Sequence, residues 1–248
     1  MKHSVLILLL ILSGSGICRA AEFDREQARL NATLSTRVRD GRVDYAGLKK
    51  DSTALDAWLA AAANAAEADF KGRPREERLA FLINLYNAAT LRLILDHYPI
   101  ASIRKIGPVW DPNKAWKLPV VKVFGRAVTL NAVEHEMIRP VYKDPRVHFA
   151  LVCAAKGCPP LRSEAYDGAR LNAQLDDQAR TFLSQRAKND ASRAGATAYL
   201  SPIFKWYMED FGGSKKSVLN FVKKWLAVED DWSVDWTEYD WSLNEDNR

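Results

Sequence analysis

The chain has 248 residues, of which 48% are hydrophobic and 27% charged, and its formal net charge is +5. One sizeable core is feasible at this length and composition, and a second domain is not required. The small positive charge does not demand a nucleic-acid partner, and we predict none.

Residues 1–20 have the three-part pattern of a secretory signal peptide. Lys2 gives a positive start, residues 5–12 contain no charge, and small residues lead to Ala20. The apolar run is too short to cross a bilayer, which takes about 20 residues. We therefore predict cleavage after Ala20 and an exported protein, periplasmic or secreted, with a single globular domain over residues 21–248.

Glycines divide the segment that follows the signal peptide. Residues 24–39 and 51–68 are predicted to be helices, and the second is rich in alanine, the residue with the highest helix propensity. Gly41 and Gly47 lie between them and are predicted to mark turns.

The strongest helix prediction in the chain is at about residues 76–98. Pro74 suits the first turn of this helix, and Pro99 ends it. The centre is apolar on nearly all sides, which is typical of a helix that runs through a core. Polar residues such as Asn84 and Asp96 interrupt the apolar run. We therefore predict no transmembrane segment and a soluble protein.

Two short strands and a helix are predicted next. Residues 117–130 read as two strands around Gly125. Asn131 and Glu134 have the spacing of a capping box, in which the first residue caps the helix and the second bonds back to it. The helix is expected to continue to about Arg139, and capping alone explains Glu134.

Residues 146–153 are β-branched and aromatic enough for a buried strand, which is expected to end at the turn formed by residues 156–160. The remaining predicted elements are a helix over residues 170–187, a strand at 199–200, a helix over 201–211 and a helix that begins at Ser214. Together these elements predict an α+β (mixed α/β) fold, with helices in the majority around a small β-sheet.

The C-terminal segment, residues 228–248, has eight acidic residues and one basic residue. It also contains four aromatic residues: Trp232, Trp236, Tyr239 and Trp241. A solvated tail has few aromatics, so we predict that this segment docks on a basic face of its own domain. An anionic partner for the positively charged remainder of the chain is the alternative.

Six phrases occur in order from about residue 76 to residue 244: FLINLYNAATLRLILDHYP, IGPVWD, LNAVEHEMIR, HFALVCAAKGCPPLR, YLSPIFKWYMEDFG and YDWSLN. In this order the chain resembles the domain of unknown function 547 family. The resemblance implies membership of a family for which no general activity is established, so it implies no particular reaction.

Cys153 and Cys158 are the two cysteines that follow the predicted signal peptide. In an oxidising compartment such a pair is first a disulfide candidate. The bridge would close a loop of about six residues and contribute on the order of 2 kcal/mol in the chain-entropy model. This gain is typical of a local clamp on a turn rather than of a bond that holds the whole fold.

An enzyme is the alternative interpretation of the same cysteines. A thiolate at Cys153 or Cys158 would be the nucleophile of a hydrolase or acyl transferase, with His148 or His135 as the base. In a straight strand, His148 and Cys153 would point to opposite faces, which makes His135 a rival base. Thiol–disulfide exchange also fits, although the four intervening residues depart from the usual Cys-x-x-Cys spacing.

Metal binding is a weaker alternative. The two cysteines and two histidines supply four potential ligands, but their spacings match no short metal motif, so we predict no metal and no cofactor. The chain also has no phosphate-binding glycine loop, no His-Glu-x-x-His helix and no Gly-x-Ser-x-Gly elbow.

Three polar residues are candidates for substrate binding. Asn84 and Asn87 lie on one face of a helix that otherwise favours burial, so their amides either tie the helix to nearby backbone or orient a substrate. We favour the structural tie. Lys205 is four residues before Glu209, which is typical of an exposed pair, and it is a secondary candidate because its motif resembles the family's.

The function predicted from these residues is a thiol-dependent envelope enzyme that acts with His148 or His135. The alternative is a non-catalytic periplasmic binding or assembly factor in which Cys153 and Cys158 form a structural disulfide. Its partner would be a small molecule or a protein.

Overall fold

The computed structural model describes residues 14–192 and 195–246. Residues 1–13, which contain most of the predicted signal peptide, lie outside the described residues. The α-helices are α1 (Gly14–Arg37), α2 (Tyr45–Lys50), α3 (Thr53–Asn64), α4 (Glu67–Gly72), α5 (Arg75–His97), α6 (Leu130–Ala132), α7 (Arg139–Tyr142), α8 (Val147–Ala150), α9 (Leu171–Leu183), α10 (Ile203–Trp206) and α11 (Lys215–Val222). The strands are β1 (Val38–Arg39), β2 (Arg42–Val43), β3 (Val121–Val123), β4 (Arg126–Val128), β5 (Asp190–Ser192), β6 (Thr197–Leu200) and β7 (Ser233–Trp236).

Helix α5 is the centre of the core, as predicted. Pro74 precedes its first turn, where Glu76 and Glu77 lie at the positive end of the helix dipole. It is long and apolar enough to span a membrane by length and composition, but 89% of its most apolar window is buried inside the fold. Its apolar surface is therefore covered by the rest of the chain.

Two apolar clusters surround the site described below. The larger one is built on α5 and includes Trp58 from α3 and Val121 from β3. The smaller one centres on Phe149 of α8, which packs against Phe182 of α9 and Phe204 of α10 at ring-centroid distances of 5.3 and 5.7 Å. Because α8 contributes to both clusters, it lies where they meet.

The strands of the described residues form small sheets, and helices predominate, which confirms the mixed α+β prediction. Strands β3 and β4 pair antiparallel as predicted around Gly125. Phe124 and Gly125 both have positive φ, at 52° and 73°, which is the geometry of a two-residue type I′ turn. Strand β6 lies between β5, which is antiparallel to it, and β7, which is parallel.

The predicted strand over residues 146–153 is wrong, because its first half forms helix α8. Pro145 lies at the start of this helix, and the carboxylate of Asp144 accepts a hydrogen bond from the backbone N–H of Arg146 at 3.0 Å. The backbone of Val152 then bonds to a side chain of α5 instead of a neighbouring strand. Tertiary contacts thus override the β propensity of the segment.

Other helix boundaries also differ from the sequence-based expectation. The first helix ends at Arg37, and the predicted helix over residues 51–68 is interrupted between α3 and α4. Gly47 lies inside α2 rather than in a turn. Its N–H donates to the carboxylate of Asp44, and a Cβ at this position would lie only 2.0 Å from that carboxylate, so glycine permits the cap.

The acidic C-terminal segment docks on the domain, as predicted. Strand β7 pairs with β6, and farther on the backbone N–H of Leu243 donates to Ala101 at 2.9 Å. The guanidinium of Arg104 lies 4.9 Å from the ring centroid of Trp241, which adds a cation–π contact. The C-terminal segment thereby brings Trp241 beside the residues that follow α5.

Candidate functional site

A cavity of about 570 Å³ opens between the two apolar clusters. Four of the seven residues predicted as site candidates line it: Cys153, Cys158, His148 and His135. The lining also includes Tyr86, Glu134, Trp206, Tyr207, Tyr239 and Trp241. A cavity of this size, with aromatic walls and a few converging polar groups, is typical of a ligand site.

Cys153 and Cys158 form a disulfide in the wall of this cavity. Cys153 is partly exposed, whereas Cys158 is only 2% exposed. The turn between them is held by the C-terminal segment, because the backbone N–H of Gly157 donates to Asp240 at 2.8 Å. A Cβ at Gly157 would lie 2.9 Å from the ring of Tyr239, so glycine allows this close approach.

Tyr239 contacts both sulfur atoms. Its Oη lies 3.1 Å from Sγ of Cys158 and 3.3 Å from Sγ of Cys153. Burial, and to a lesser degree the charge of Glu134, raise the pKa of Tyr239 well above its usual value. The phenol therefore stays protonated at neutral pH and acts as a hydrogen-bond donor.

Sγ of Cys158 also accepts a hydrogen bond from the backbone N–H of Cys153 at 3.0 Å. With the hydroxyl of Tyr239, two donors therefore converge on this sulfur. Such donors favour the charged form of an acceptor, so a thiolate released at Cys158 would be stabilised.

Glu134 does not form the predicted capping box. Thr129, not Asn131, caps this helix, through a hydrogen bond from the backbone N–H of Ala132 to its hydroxyl at 2.9 Å. Threonine is also a good N-cap residue, and it comes first, directly after β4. The helix then widens into the π-helical segment Val133–Ile138, in which Glu134 is 4% exposed and lines the cavity.

The carboxylate of Glu134 lies in a group of tyrosines. Burial raises the pKa of Tyr86 and Tyr207, and the charge of Glu134 adds to this effect in both. All three side chains line the cavity. Interruptions of this π-helical kind occur frequently at functional sites.

His148 is buried by partners on both sides. Its Nε2 lies 2.6 Å from Oδ2 of Asp210, its Nδ1 lies 3.9 Å from Glu134, and its ring stacks on Tyr207 at 3.8 Å. Arg139 forms two hydrogen bonds with the same carboxylate of Asp210, at 2.6 and 3.0 Å. The hydrogen bond to His148 and the pairing with Arg139 hold the pKa of Asp210 well below its usual value, although burial opposes this shift.

Replacing Asp210 with asparagine is expected to destabilise the fold by about 1–3 kcal/mol at neutral pH, the range for hydrogen bonds to charged groups. The pKa of Asp210 is lower in the folded protein than in the unfolded chain, where it is about 3.9. The ionised carboxylate therefore contributes to the free energy of unfolding above about pH 3.9, and this contribution is lost as the pH falls toward the folded pKa. Urea unfolding at pH 7 and at about pH 3 measures both effects, since the cost of the substitution shrinks in acid.

Asp96→Asn is the matched control for this substitution. Asp96 forms an exposed pair with Arg92 one helical turn away, and such pairs contribute less than about 1 kcal/mol. Equal losses in the two variants, or a loss at Asp210 that does not depend on pH, would contradict a structural role for the His148–Asp210 pair.

His135 and Lys205 are placed differently from His148. His135 is exposed at the edge of the cavity, and its Nδ1 lies 2.7 Å from Nη1 of Arg139. Lys205 is exposed on α10 and does not line the cavity, whereas its neighbour Trp206 does.

Asn84 and Asn87 bond to backbone rather than lining the cavity. The amide of Asn84 donates to the carbonyl of Tyr166 at 2.8 Å and accepts from the N–H of the same residue at 2.9 Å. Asn87 bonds in the same way to the carbonyl of Ala150 and the N–H of Val152, each at 2.9 Å. Asn87 thus fixes the segment that leads directly into Cys153.

Aromatic side chains form much of the remaining cavity wall. Trp206 stacks on Trp241 with ring centroids 5.7 Å apart, and Tyr239 lies 4.8 and 4.6 Å from these two rings. Trp206 is 48% exposed, which is unusual for a tryptophan with this many ring contacts. An apolar or planar group that enters the cavity would therefore meet a ready aromatic surface beside the disulfide.

The fold and site together define a helix-rich α+β domain that carries a disulfide in an aromatic cavity. Residues 70–183, from just before α5 to the end of α9, match the family described as "Protein of unknown function, DUF547". The match covers somewhat less than half of the chain and confirms the resemblance of its sequence to this family over those residues. No curated protein and no solved structure matches the chain.

Sequence reasoning did not identify Tyr239, Asp210 or Tyr207 as site residues. All three occur in the two family-like phrases nearest the C-terminus, and this position is the sequence feature that could have identified them as site residues. Glu134 was present in such a phrase too, but capping gave it a sufficient local explanation. Among the described residues, no group of three or more His, Cys, Asp or Glu side chains is arranged to hold a metal ion.

Proposed function

We propose that the protein is exported and exchanges disulfides with thiol substrates through the Cys153–Cys158 bond. One observation carries the proposal: the two sulfurs are unequal. Cys153 is the more exposed residue in the cavity wall, whereas buried Cys158 receives hydrogen bonds from Tyr239 and from the backbone N–H of Cys153.

This asymmetry gives each cysteine a role. A substrate thiolate attacks Sγ of Cys153, a mixed disulfide forms, and the bond to Cys158 breaks so that Cys158 leaves as a thiolate. A second thiolate of the substrate then attacks the substrate sulfur of the mixed disulfide and releases Cys153. Two electrons pass from the substrate dithiol to the protein, which ends with two reduced cysteines.

Thiol–disulfide exchange is favoured over acyl transfer or hydrolysis because those reactions need a free thiolate paired with a base. Both sulfurs are bonded to each other. The imidazole of His148 bonds to Asp210 and that of His135 to Arg139, and within the described residues no hydrogen bond joins either ring to a sulfur. The side chain that contacts both sulfurs is Tyr239, through its hydroxyl.

A non-catalytic binding protein is the second candidate function. The stacked rings of Trp206, Tyr239 and Trp241 favour it, because they offer a contact surface that needs no chemistry. In that case the disulfide only clamps the turn between its two cysteines.

A redox titration distinguishes a disulfide-exchange protein from a binding protein with a structural disulfide. The purified protein is equilibrated with graded mixtures of reduced and oxidised glutathione or dithiothreitol. The oxidised and reduced fractions are measured by trapping thiols with an alkylating agent and by intact mass. We expect a reversible two-electron transition between about −270 and −120 mV, the range of thiol–disulfide oxidoreductases. A bond that stays oxidised below about −300 mV is typical of a structural disulfide and would overturn the proposal.

Tyr239→Phe is the matched variant, because it removes one hydroxyl and keeps the aromatic packing. We expect it to slow reduction of the bond by glutathione about tenfold, the loss that corresponds to about 1.4 kcal/mol, since Cys158 leaves with one donor fewer. An unchanged rate would remove Tyr239 from the proposed mechanism.

A further inference from the structure

A second cavity, of about 310 Å³, lies next to the first and shares Cys158 and Pro159 with it. Its lining contains four cationic side chains and one acidic side chain, Asp40. The cationic side chains are Arg42, Lys156, Arg186 and Lys188. They come from β2, from the turn between the two cysteines and from the segment after α9, so the fold gathers them from three distant parts of the chain.

These positive charges are only partly balanced by the protein, in which Asp240 lies near enough to Lys156 and Lys188 to interact with their charges. Among the described residues, Arg186 forms an ion pair with Asp190, but no carboxylate lies within ion-pair distance of Arg42, Lys156 or Lys188. Like charges that line one cavity repel each other, and an anion between them would relieve this repulsion.

Lys188 is the most constrained of these cations. Its Nζ donates a hydrogen bond to the carbonyl of Cys158 at 2.5 Å, and an ammonium has three donors, so others remain for a ligand. Burial, and then the charge of Arg42, lower the pKa of Lys188 to about 8. A partly buried cation beside another cation is costly, and an anionic ligand would offset this cost.

We propose that this second cavity binds the oxyanion group of a small molecule, a phosphate, sulfate or carboxylate held by Lys188 with Arg42 and Lys156. The site is separate from the chemistry proposed for the first cavity, and it stands whether or not the disulfide is redox-active. Its position against Cys158 places a bound anion next to the buried cysteine of the bridge.

Isothermal titration calorimetry of the whole oxidised protein tests the proposal. Inorganic sulfate, inorganic phosphate and acetate are the three probes, each at constant ionic strength with chloride as the reference ion. We expect saturable binding of at least one probe at one site per chain. Binding of acetate alone would assign the site to carboxylates, and binding of sulfate or phosphate would assign it to tetrahedral oxyanions.

Lys188→Met and Arg42→Gln are each expected to weaken this binding at least tenfold. Lys216→Met is the matched control, because Lys216 is an exposed lysine on α11 that does not line the cavity. The Lys216→Met variant should bind the probe with the same affinity as the unchanged protein. Arg42 is exposed, so Arg42→Gln keeps the test valid if Lys188→Met fails to fold.

The pH dependence of sulfate binding tests independently whether the charge of Lys188 holds the anion. Sulfate keeps its own charge across the pH range used. Lys188 loses its proton as the pH rises through about 8, so affinity should fall between about pH 7 and pH 9.5. The charged groups that face Lys188 are Arg42, Lys156 and Arg186 on the cationic side and Asp40 and Asp240 on the acidic side. The arginines and acids keep their charge over this range.

The absence of saturable binding by all three probes in the unchanged protein would overturn the proposal. So would binding that persists unweakened in a folded Lys188→Met or Arg42→Gln variant, since the ion would then be held elsewhere. Equal weakening in Lys216→Met would reduce the effect to general surface charge.

Discussion

Replacing Cys158 with serine is expected to abolish turnover of a dithiol peptide, with a loss of more than about 1,000-fold, while Cys153 still forms a mixed disulfide. Cys153 is partly exposed and lines the cavity, so it remains available to a substrate. The two-electron cycle stops because no second sulfur is present to complete the protein's own disulfide. Intact mass after incubation with oxidised glutathione would show one added glutathione per chain.

The matched variant, Cys153→Ser, should behave differently. In protein cleaved after Ala20 it leaves only Cys158, which is 2% exposed, so glutathione addition should be at least about tenfold slower than in Cys158→Ser. Both variants lose the same bridge, and both should lose a similar stability, on the order of 2 kcal/mol for so short a loop. Equal reactivity of the two remaining cysteines would contradict the assigned roles.

Replacing Asn87 with leucine is expected to destabilise the fold by about 3–5 kcal/mol. The substitution removes both hydrogen bonds of the amide and leaves the buried carbonyl of Ala150 and the buried N–H of Val152 without partners. Each buried unsatisfied group costs about 1–3 kcal/mol. Urea unfolding followed by circular dichroism measures the loss.

Thr90→Ala is the control on the same helix. Thr90 is also buried, but its hydroxyl bonds to the carbonyl of Tyr86 within α5, and its loss leaves no backbone group of another segment unpaired. We expect a cost of about 1 kcal/mol or less. An Asn87→Leu variant that keeps full stability but loses disulfide exchange would instead favour a direct role of the amide at the site.

The core helix could be predicted from sequence because its signals are local. Proline at its start, acidic residues in the first turn and apolar residues on all sides identify α5 without knowledge of its neighbours. The segment of residues 146–153 could not be predicted in this way. Its β-branched residues favour a strand, but Pro145 and the amide of Asn87 fix a helical turn followed by extended backbone.

The site was predictable only in part, for the same reason. The two cysteines are close in sequence, and a histidine lies five residues before the first of them. This local pattern is enough to identify them as site candidates. The partners that give these residues their properties are remote, since Tyr239 lies 81 residues from Cys158 and Asp210 lies 62 residues from His148. No spacing rule joins residues at such separations, so only the fold brings them together.

The family match ends with α9, whereas the C-terminal segment closes the cavity. A protein trimmed to residues 70–183 would keep both cysteines and His148 but would lack Tyr239, Asp210 and the stacked tryptophans. The disulfide would then lack the hydroxyl of Tyr239, and His148 would lack the carboxylate of Asp210. In this chain, the phenol that contacts the sulfurs and the carboxylate that bonds to His148 are accordingly encoded outside the stretch that matches the family.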